Sequence, residues 1–474
     1  MAEAVDLAEP RAIHLVGVGG AGISAIGVVL AAMGHRVSGA DVVATGAWPA
    51  LEAAGVAAEV VAPGDLFSSA AAHGATVVAH STAFPPTEAD RVAAEAEGRT
   101  ILDRAGILGL ICGRRPTVAV SGTHGKTSTT AMLATLLDGA GTDPSWLVGA
   151  TPVGLGRAAR WAPGGDGAFV VEADESDGTF LQLGADVAVV TNVDEDHLDF
   201  WGDIEAIEAA FERFATAARV AVVCTDDTGS SADSAARARR VAAASGAVTV
   251  GEDDDARVRL HDVEVDRLTT TFGLAIDGTE VGPVAVGTPG RHHARNAAVA
   301  VAAAVELGVP VADAVAALAD YRGVARRFEV VGEAFGATVV DDYAHNPGKV
   351  RALLQAARDA GWRRVVCVFQ PHRYSRTRDL AGDFGAALAL ADVVAVTEVY
   401  GAGEDPIAGI GGRTVLDAVL DERPWIPAAW VPTLDDAEAW ARAVLRPGDL
   451  CLTVGAGDVV RLGPRLVAAA GGPT

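Results

Sequence analysis

Short apolar runs alternate with alanine-rich amphipathic stretches along almost the whole chain. Such runs are typical of strands buried on both faces of a parallel sheet, and the stretches between them are typical of crossover helices. The pattern begins again after two short arginine-containing breaks, at residues 114–116 and 321–328. We therefore predict an α/β protein of three domains, comprising residues 1–113, 114–325 and 326–474.

Strand predictions fall in all three segments, and helical stretches separate them, as in parallel α/β units. The acidic stretch 252–255 is predicted to be a solvated loop, and a long alanine-rich helix is predicted after Gly290. The predicted strands lie at or near residues 12–18, 36–40 and 75–79, then 117–121, 169–171, 187–190 and 220–223, and finally 338–340, 364–369, 393–396 and 450–454.

The chain carries a formal net charge of -25, and 50% of its residues are hydrophobic. A negative protein repels nucleic acid and anionic membranes, so we expect neither as a partner. The four cysteines are widely spaced, which favours buried free thiols over a metal site or disulfides. The N-terminal residues lack the regions of an export signal, and the longest apolar stretch, 297–305, is too short to span a bilayer. We expect a soluble cytoplasmic protein and predict no oligomeric state.

One of the two lysines in the chain, Lys126, lies in a glycine-rich turn between a predicted strand and a predicted helix. The turn is shorter than the common phosphate loop, which would need glycine at Val120. Backbone N–H groups of such a turn bind phosphate, the lysine adds a positive charge, and a hydroxyl remains for Mg²⁺. A chance helix cap is the alternative. The turn predicts ATP binding through Gly122, Thr123, Gly125, Lys126 and Thr127.

Two acidic segments follow the next predicted strands of the central domain. Glu172 ends the first of these strands and is the candidate Mg²⁺ ligand, because strand ends of open α/β sheets face the ligand crevice. Asn192 and His197 follow the second strand and should face the same crevice. A neutral imidazole can ligate a metal, but a lone histidine is more often structural. A solvated acidic loop is the alternative for the segment around Glu172.

A second glycine motif, Gly17-Val-Gly-Gly-Ala-Gly22, follows the first predicted strand, and Asp41 lies downstream. Read alone, this motif predicts the dinucleotide site of an NAD(P)-dependent oxidoreductase. The glycines themselves indicate only that a diphosphate lies on a helix N-terminus, so a nucleotide-diphosphate sugar fits equally well. A tight packing turn is the third interpretation.

Two arginines of the third domain, Arg373 and Arg376, come just after a predicted strand. Guanidinium groups in that place suit a carboxylate or a phosphate held by bidentate contacts. Ion pairs with surface acids are the alternative interpretation.

Taken in order, these motifs resemble those of the Mur ligase family, the ATP-dependent amide-forming ligases of peptidoglycan synthesis. Within the family, the first glycine motif and the segments 172–178, 369–377 and 400–407 are most similar to the members that add L-alanine to UDP-N-acetylmuramate. The resemblance implies a Rossmann-like UDP-sugar-binding domain, a central P-loop ATPase domain and a Rossmann-like C-terminal domain that binds the amino acid. It rests on Gly122-Thr-His-Gly-Lys-Thr127, Glu172-Ala-Asp-Glu-Ser-Asp177, Thr191-Asn-Val-Asp-Glu-Asp-His197, Arg326-Arg-Phe-Glu329 and Asp341-Asp-Tyr-Ala-His345.

The resemblance also implies a reaction, in which ATP activates the lactyl carboxylate of UDP-N-acetylmuramate as an acyl phosphate that L-alanine then attacks. It implies roles for individual residues as well. Catalytic roles fall to Lys126, Glu172, His197, His345 and Arg373, and the UDP group to Gly19, Gly20, Gly22, Asp41 and Ser81. Beyond the glycine turn, Asn296 would contact the adenine of ATP and Arg327 its phosphates, and Asp341 or Asp342 would contact its ribose. Mg²⁺ would be held by Thr127, Glu172 and His197, and L-alanine by Tyr343, His345, Arg373 and Arg376.

Two departures from the family pattern bear on these roles. No lysine lies between Lys126 and Lys349, so the carbamylated lysine that some members use at the second metal is absent. We hypothesise that Glu212 supplies a carboxylate in its place. Asn346, Gly348 and Lys349 stand where the alanine-adding members have histidine, threonine and glutamate. These changes leave the ATP chemistry intact and keep open a different amino-acid or peptide acceptor.

Overall fold

The computed structural model of the chain describes residues 5–226 and 233–471, and three β-sheets organise them. One sheet lies in each of the three predicted segments, with helices between most successive strands. The prediction of an α/β fold is confirmed. The exact segment boundaries remain predictions.

The first sheet has five parallel strands among the described residues, in the order β3-β2-β1-β4-β5. The chain runs from β1 to β2 and β3, then returns to β4 on the other side of β1. The strand order therefore reverses between β1 and β4, and open α/β sheets bind ligands at the carboxyl ends of such strands. The elements are β1 (Ala12–Val16), α1 (Ala21–Ala32), β2 (Arg36–Asp41), α2 (Trp48–Ala53), β3 (Ala57–Val60), α3 (Ser69–Ala72), β4 (Val77–His80), α4 (Glu88–Ala96), β5 (Thr100–Asp103) and α5 (Arg104–Cys112).

The second sheet has ten described strands in the order β15-β14-β13-β12-β11-β10-β6-β9-β7-β8. Strand β6 lies between β9 and β10 and runs parallel to both, so the carboxyl ends of all three strands meet at one edge. The elements are β6 (Thr117–Ser121), α6 (Lys126–Gly139), β7 (Ser145–Leu147), β8 (Ala159–Arg160), β9 (Phe169–Glu172), β10 (Val187–Val190), α7 (Leu198–Trp201), α8 (Ile204–Ala217), β11 (Val220–Cys224), α9 (Ser234–Ser245), β12 (Val248–Gly251), β13 (Val258–Asp266), β14 (Thr269–Ile276), β15 (Thr279–Val286), α10 (Arg291–Glu306) and α11 (Val311–Leu318). The apolar pattern did not predict β13, β14 and β15.

The third sheet has six described strands in the order β16-β17-β21-β18-β19-β20, and only the β16–β17 pair is antiparallel. The elements are β16 (Glu329–Ala334), β17 (Ala337–Asp342), α12 (Pro347–Asp359), β18 (Arg364–Phe369), α13 (Tyr374–Leu388), β19 (Val393–Val396), α14 (Gly412–Glu422), β20 (Ala428–Trp430), α15 (Leu434–Val444), β21 (Asp449–Val454) and α16 (Leu462–Ala469).

Strand β18 illustrates why these apolar runs form buried strands. Successive side chains of a strand point to opposite faces of the sheet. Val365, Cys367 and Phe369 accordingly pack into one hydrophobic cluster, and Val366 and Val368 pack into another. A strand covered on both faces needs apolar residues at every position, which is the continuous run seen in the sequence. All four cysteines are buried free thiols, as predicted.

The chain divides into two compact units. In their described parts, the first comprises residues 5–226, 233–263, 271–286 and 292–322, and the second comprises residues 264–270, 287–291 and 323–471. The division after Arg322 lies in the segment 321–328 that the sequence predicts as a break. Within the described ranges, every helix is too short or too polar to cross a membrane.

Candidate active site

The first glycine turn connects β1 to α1 at the point where the strand order of the first sheet reverses. Gly17 has a φ of 77°, and a Cβ built there would lie 2.6 Å from Oγ of Ser81, which follows β4. Only glycine therefore allows the two strand ends to approach this closely. The hydroxyl of Ser81 is buried and has no hydrogen-bond partner among the described residues.

Asp41, at the end of β2, holds the same turn from the other side. Its Oδ2 accepts a hydrogen bond of 2.9 Å from the backbone N–H of Gly19, and the hydroxyl of Thr45 donates to the carbonyl oxygen of Gly19 at 2.8 Å. The structure thus brings together Gly19, Asp41 and Ser81, which were predicted to share one site. The carboxylate of Asp41 thus bonds within the turn. In a dinucleotide-binding site, the corresponding acid would instead bind a ribose hydroxyl.

The second glycine turn connects β6 to α6, and its glycines adopt conformations that other residues avoid. Gly122 has a φ of 128°, and Gly125 has a φ of 83° and precedes the first residue of α6, Lys126. Asn192 fixes the turn, because its side-chain oxygen accepts from the N–H of His124 at 2.9 Å and its nitrogen donates to the carbonyl of His124 at 2.8 Å. The N-terminal end of a helix that begins at such a turn attracts anions.

Lys126 is held inside this turn by a buried carboxylate. Its ammonium donates to the carbonyl oxygen of Gly122 at 2.9 Å and to Oε1 of Glu175 at 2.8 Å, and it lies 2.7 Å from Oε2. The side chain of Glu175 is 3% exposed and that of Lys126 is 15% exposed. Burial raises the pKa of the Glu175 carboxyl, and the ammonium of Lys126 opposes that effect. The carboxylate of Glu175 therefore occupies the ammonium of Lys126, and a bound phosphate would compete with it.

The predicted Mg²⁺ ligands Thr127 and Glu172 lie next to each other. The hydroxyl of Thr127 donates to Oε1 of Glu172 at 3.0 Å, and Oε2 of Glu172 accepts from the N–H of Gly149 at 2.8 Å. Two neighbouring ligands of an octahedral Mg²⁺ are about 2.9 Å apart, so this pair fits the ion. The described residues contain no cluster of three or more histidine, cysteine or acidic side chains that could hold a metal. Mg²⁺ usually takes its other ligands from phosphates and water, so two protein oxygens are compatible with its chemistry.

His197, the third predicted ligand, precedes α7 with a φ of 52°. Its Nε2 lies 3.9 Å from Oε1 of Glu175, and no described contact joins it to Glu172. The proposed substitute ligand Glu212 is exposed on α8 and lines a groove of about 570 Å³ together with Arg237 and Arg240. No described contact brings Glu212 to the Thr127–Glu172 pair.

Asn296, predicted to contact adenine, lies in α10 and is buried against the second glycine turn. A Cβ built on Gly125 would come within 2.8 Å of its side-chain oxygen. The side chain therefore packs next to the phosphate turn, and its contact with adenine stays a prediction.

In the second unit, a group of rings lies at the carboxyl ends of β17, β18 and β19. The rings of Tyr343 and His345 have centroids 4.9 Å apart, those of His345 and His372 are 5.9 Å apart, and those of His372 and Tyr400 stack at 5.8 Å. The guanidinium of Arg376 contacts Nδ1 of His372 at 3.3 Å. Predicted residues Tyr343, His345 and Arg376 are thus brought together. His372 and Tyr400 belong to the same group, although neither was predicted to be a site residue.

The two histidines of this group are neutral at physiological pH. Burial, reinforced by Arg376, lowers the pKa of His372 to about 4. Burial also lowers the pKa of His345, whose Nδ1 lies 2.9 Å from the carbonyl oxygen of Tyr343. A carbonyl oxygen can only accept, so Nδ1 of His345 carries the proton and Nε2 keeps its lone pair. Arg373 is exposed, and its guanidinium bonds to no described residue.

Three further predicted ATP contacts lie beside the ring group. The guanidinium of Arg327 is 6.0 Å from the ring of Tyr343. Asp341 is buried and accepts from the hydroxyl of Thr453 at 2.7 Å, and burial raises its pKa to about 6. The carboxylate of Asp342 accepts from the N–H groups of Phe328 and Ala344, both at 2.8 Å. Both carboxylates therefore accept hydrogen bonds within the fold. Their contact with ribose stays a prediction.

The departure at Asn346 has a structural explanation. Its side-chain oxygen accepts from the N–H of Lys349 at 2.8 Å, which caps α12 ahead of Pro347. Asparagine is among the best residues at a helix N-cap, and proline suits the first helical position. Asn346 therefore serves as the N-cap of α12, and the N–H of Lys349 is the donor that it accepts from.

Models of three domains match almost the whole chain. A Mur ligase family catalytic domain matches residues 12–115, a Mur ligase middle domain matches 120–304, and a Mur ligase glutamate ligase domain matches 326–457. The chain belongs to the Mur ligase family. This excludes the oxidoreductase that the first glycine motif alone would predict.

Relatives of this Mur ligase extend the match to full length. A UDP-N-acetylmuramate–L-alanine ligase of Cutibacterium acnes is 41% identical over 98% of this chain and 98% of its own. One from Kineococcus radiotolerans is 44% identical over 96% of this chain and 95% of its own. The solved UDP-N-acetylmuramate–alanine ligase of Thermotoga maritima superposes with a TM-score of 0.78 at 27% identity, covering 97% of this chain and 99% of that chain. The three-domain architecture predicted for this Mur ligase is confirmed by that likeness.

Proposed function

We propose that this Mur ligase joins L-alanine to the lactyl carboxylate of UDP-N-acetylmuramate, converting ATP to ADP and phosphate in the synthesis of peptidoglycan precursors. The observation that carries the proposal is similarity over the full length. Relatives named for this reaction are 41–44% identical along 96–98% of the chain, so the likeness includes both compact units.

The two glycine turns of the first unit supply the sites for the two nucleotide substrates. We assign the diphosphate of UDP-N-acetylmuramate to Gly19, Gly20 and Gly22 at the start of α1, with Asp41 and Ser81 completing the turn. We assign the ATP phosphates to residues 122–127 at the start of α6. Both assignments use the same physical effect, which is the attraction of an anion to the N-terminal end of a helix.

Lys126 and its neighbours explain why the second turn suits phosphoryl transfer. A carboxylate is a poor acylating agent because its leaving group would be an oxide. One oxygen of the lactyl carboxylate attacks the γ-phosphorus, ADP leaves, and an acyl phosphate forms. Lys126 exchanges Glu175 for the phosphates and stabilises the charge on them. Thr127 and Glu172 would hold Mg²⁺, assisted by His197, and the bound ion neutralises phosphate charge.

The ring group of the second unit supplies the second half of the reaction. The ammonium of L-alanine gives one proton to solvent, and the uncharged amine then attacks the acyl carbon. The nitrogen loses a second proton, and phosphate leaves with the oxygen that came from the carboxylate. Arg373 and Arg376 would hold the carboxylate of L-alanine and so fix its amine. Because His345 and His372 are neutral, they add no charge that would repel the alanine ammonium, and Nε2 of His345 can accept a hydrogen bond from it.

The test is ADP release from the full-length protein with ATP, Mg²⁺ and UDP-N-acetylmuramate against L-alanine, glycine, L-serine and a short peptide. The proposal predicts that ADP forms only when the UDP-sugar and an acceptor are both present, and that L-alanine gives the highest kcat/KM. A preference for the peptide would contradict it and would support the acceptor that Gly348 and Lys349 keep open.

A further inference from the structure

Arg104 is a basic residue that lies against the first glycine turn. It is the first residue of α5, and Asp103 caps this helix by accepting from the N–H of Gly106 at 2.7 Å. A Cβ built on Gly22, in the first turn of α1, would lie 3.4 Å from Nη1 of Arg104. The guanidinium therefore sits beside the helix end to which we assign a diphosphate. No lysine lies between residues 12 and 41, so the turn has no such cation of its own.

The other end of the same guanidinium reaches the acidic segment of the second site. Nη2 donates to Oδ2 of Asp177 at 2.8 Å and lies 3.6 Å from Oδ2 of Asp174. Both aspartates belong to the loop that follows Glu172 and contains Glu175. One side chain thus lies beside the first glycine turn and binds the segment that carries the acids of the second.

Two of the three guanidinium nitrogens of Arg104 still lack an acceptor. Nε is buried without a hydrogen-bond partner among the described residues, and no hydrogen bond joins Nη1 to any of them. The side chain is only 22% exposed. A donor without an acceptor favours a ligand that supplies one. The Nε–H lies on the Nη2 side of the guanidinium, whereas Nη1 lies beside the glycine turn, so Nη1 is the nitrogen that can reach a phosphate oxygen there.

We propose that Arg104 binds the diphosphate of the nucleotide sugar through Nη1 while Nη2 remains on Asp177. Binding of the UDP-sugar would then also fix the segment that carries Glu172 and Glu175, and would couple the two sites. Arg104 is in this view both a substrate-binding residue and a positioning residue for the second site. The inference rests on the proposed function, because it takes a UDP-sugar as the ligand.

The test measures binding of UDP and of UDP-N-acetylmuramate by calorimetry, without ATP, to full-length wild type, Arg104→Gln and Arg104→Lys. The inference predicts that Kd rises about 10- to 100-fold for both ligands in Arg104→Gln. It predicts a smaller loss in Arg104→Lys, which keeps the positive charge but has only one nitrogen for both the diphosphate and Asp177. Arg114→Gln, beyond the other end of α5 and paired at 3.8 Å with Asp6, is the matched control and should bind like wild type.

Asp177→Asn distinguishes two roles of Arg104. Arg104 either contacts the ligand or is merely a strut, that is, a residue that only links the two sheets. If Arg104 contacts the diphosphate, Asp177→Asn leaves the Kd of UDP unchanged and lowers kcat, since only the positioning of the second site is lost. If Arg104 is merely a strut, Asp177→Asn weakens UDP binding as much as Arg104→Gln does, which would overturn the inference.

The ligand series also separates this inference from the proposed function. Loss of affinity for UDP-N-acetylmuramate but not for UDP would place the contact on the sugar or its carboxylate and contradict the diphosphate assignment. Unchanged binding in both Arg104 variants, with a wild type that binds UDP and ligates L-alanine, refutes the role of Arg104 alone. A wild type that binds neither ligand refutes the proposed function itself.

Discussion

The two glycine turns of the first unit have the same backbone design and obtain their charge differently. Each follows a strand with parallel neighbours on both sides and opens a helix, and each uses glycine at positive φ, at Gly17 in one and at Gly122 and Gly125 in the other. The second turn carries its own cation, Lys126, within the motif. The first has an aspartate on one of its N–H groups, and the cation beside it, Arg104, comes from a distant helix.

The contrast between the two turns shows which part of a nucleotide site is encoded by local sequence. The backbone cradle depends on a strand, a few glycines and a helix in direct succession, so a motif describes it. The charge that completes the cradle can come from any element that the fold brings near. A motif with its own lysine predicts its ligand, whereas one without it leaves several ligands open.

Removal of the local cation should have the largest effect. Lys126→Ala is expected to lower kcat about 10³-fold or more, because a charge aimed at the transferring phosphoryl group is lost. ADP release at saturating substrates measures this, and calorimetry should find UDP binding intact at the other turn. Lys349→Ala, at the other lysine of the chain, is the control. Near-normal turnover in Lys126→Ala would contradict the role of the second turn.

Removal of Glu175, the partner of Lys126, should have the next largest effect, in this case on stability. Glu175→Gln leaves the buried ammonium of Lys126 without its counter-charge, which should lower the stability of the ligand-free protein by about 3 kcal/mol. ATP phosphates would replace the lost charge, so a non-hydrolysable ATP analogue should narrow the gap to wild type in thermal unfolding. Asp196→Asn, an exposed acid 3.8 Å from His197, is the control. An equal loss with and without nucleotide would refute an exchange at Lys126.

The backbone of the first turn can be tested with a pair of alanine substitutions. Gly17→Ala should lower stability by about 2 kcal/mol, because alanine is strained at a φ of 77° and its Cβ would press on Ser81. Gly20→Ala, at a φ of -70° with no atom closer than 3.4 Å, should be tolerated. Chemical denaturation of both variants gives the comparison, and equal stabilities would contradict a steric need for glycine at position 17.

Acid should weaken the strand that leads into the first turn, with the smallest of these effects. β1 contains His14, and burial, reinforced by His73, lowers its pKa to about 4, whereas β6 carries no titratable side chain. The unfolded chain takes up this proton near its ordinary pKa of about 6.5, so the stability contributed is full above that pH and declines as pH falls towards 4.

A His14→Gln variant measures that contribution. At a pH of about 5.5, the wild type should have lost about 1 kcal/mol of unfolding free energy through this group, relative to neutral pH. His14→Gln should show a shallower decline over the same range, while an amide can still bond Ser38 or Ser69. Parallel declines in the two proteins would show that His14 is not the titrating group.

Much of the fold and the centre of each site could be predicted because the signals are local. The proximity of Glu172 to Thr127 could be predicted in this way. One strand ends in this acid and its parallel neighbour ends in the glycine turn, so the fold places the two side chains at the same edge of the sheet. Strands β13–β15 were missed because their polar, alternating residues resemble a solvated segment when read for continuous apolar runs.

The missed site residues were hidden for two physical reasons. Glu175 shares a short loop with Asp174 and Asp177, and three neighbouring acids are equivalent until the fold buries one of them against Lys126. Arg104 meets the first turn through tertiary packing alone, so no spacing along the chain indicates it. His372 and Tyr400 became visible as one group only when β18 and β19 placed their carboxyl ends side by side.

The path of one labelled oxygen atom shows whether the reaction passes through an acyl phosphate. UDP-N-acetylmuramate labelled with ¹⁸O in its lactyl carboxylate is incubated with the protein, ATP and L-alanine, and the released phosphate is analysed by mass spectrometry. If the lysine-bearing turn phosphorylates the carboxylate that the first turn delivers, each phosphate released during ligation carries one labelled oxygen. Phosphate without label, formed while L-alanine is ligated, would contradict an acyl phosphate and the account of how the two turns cooperate.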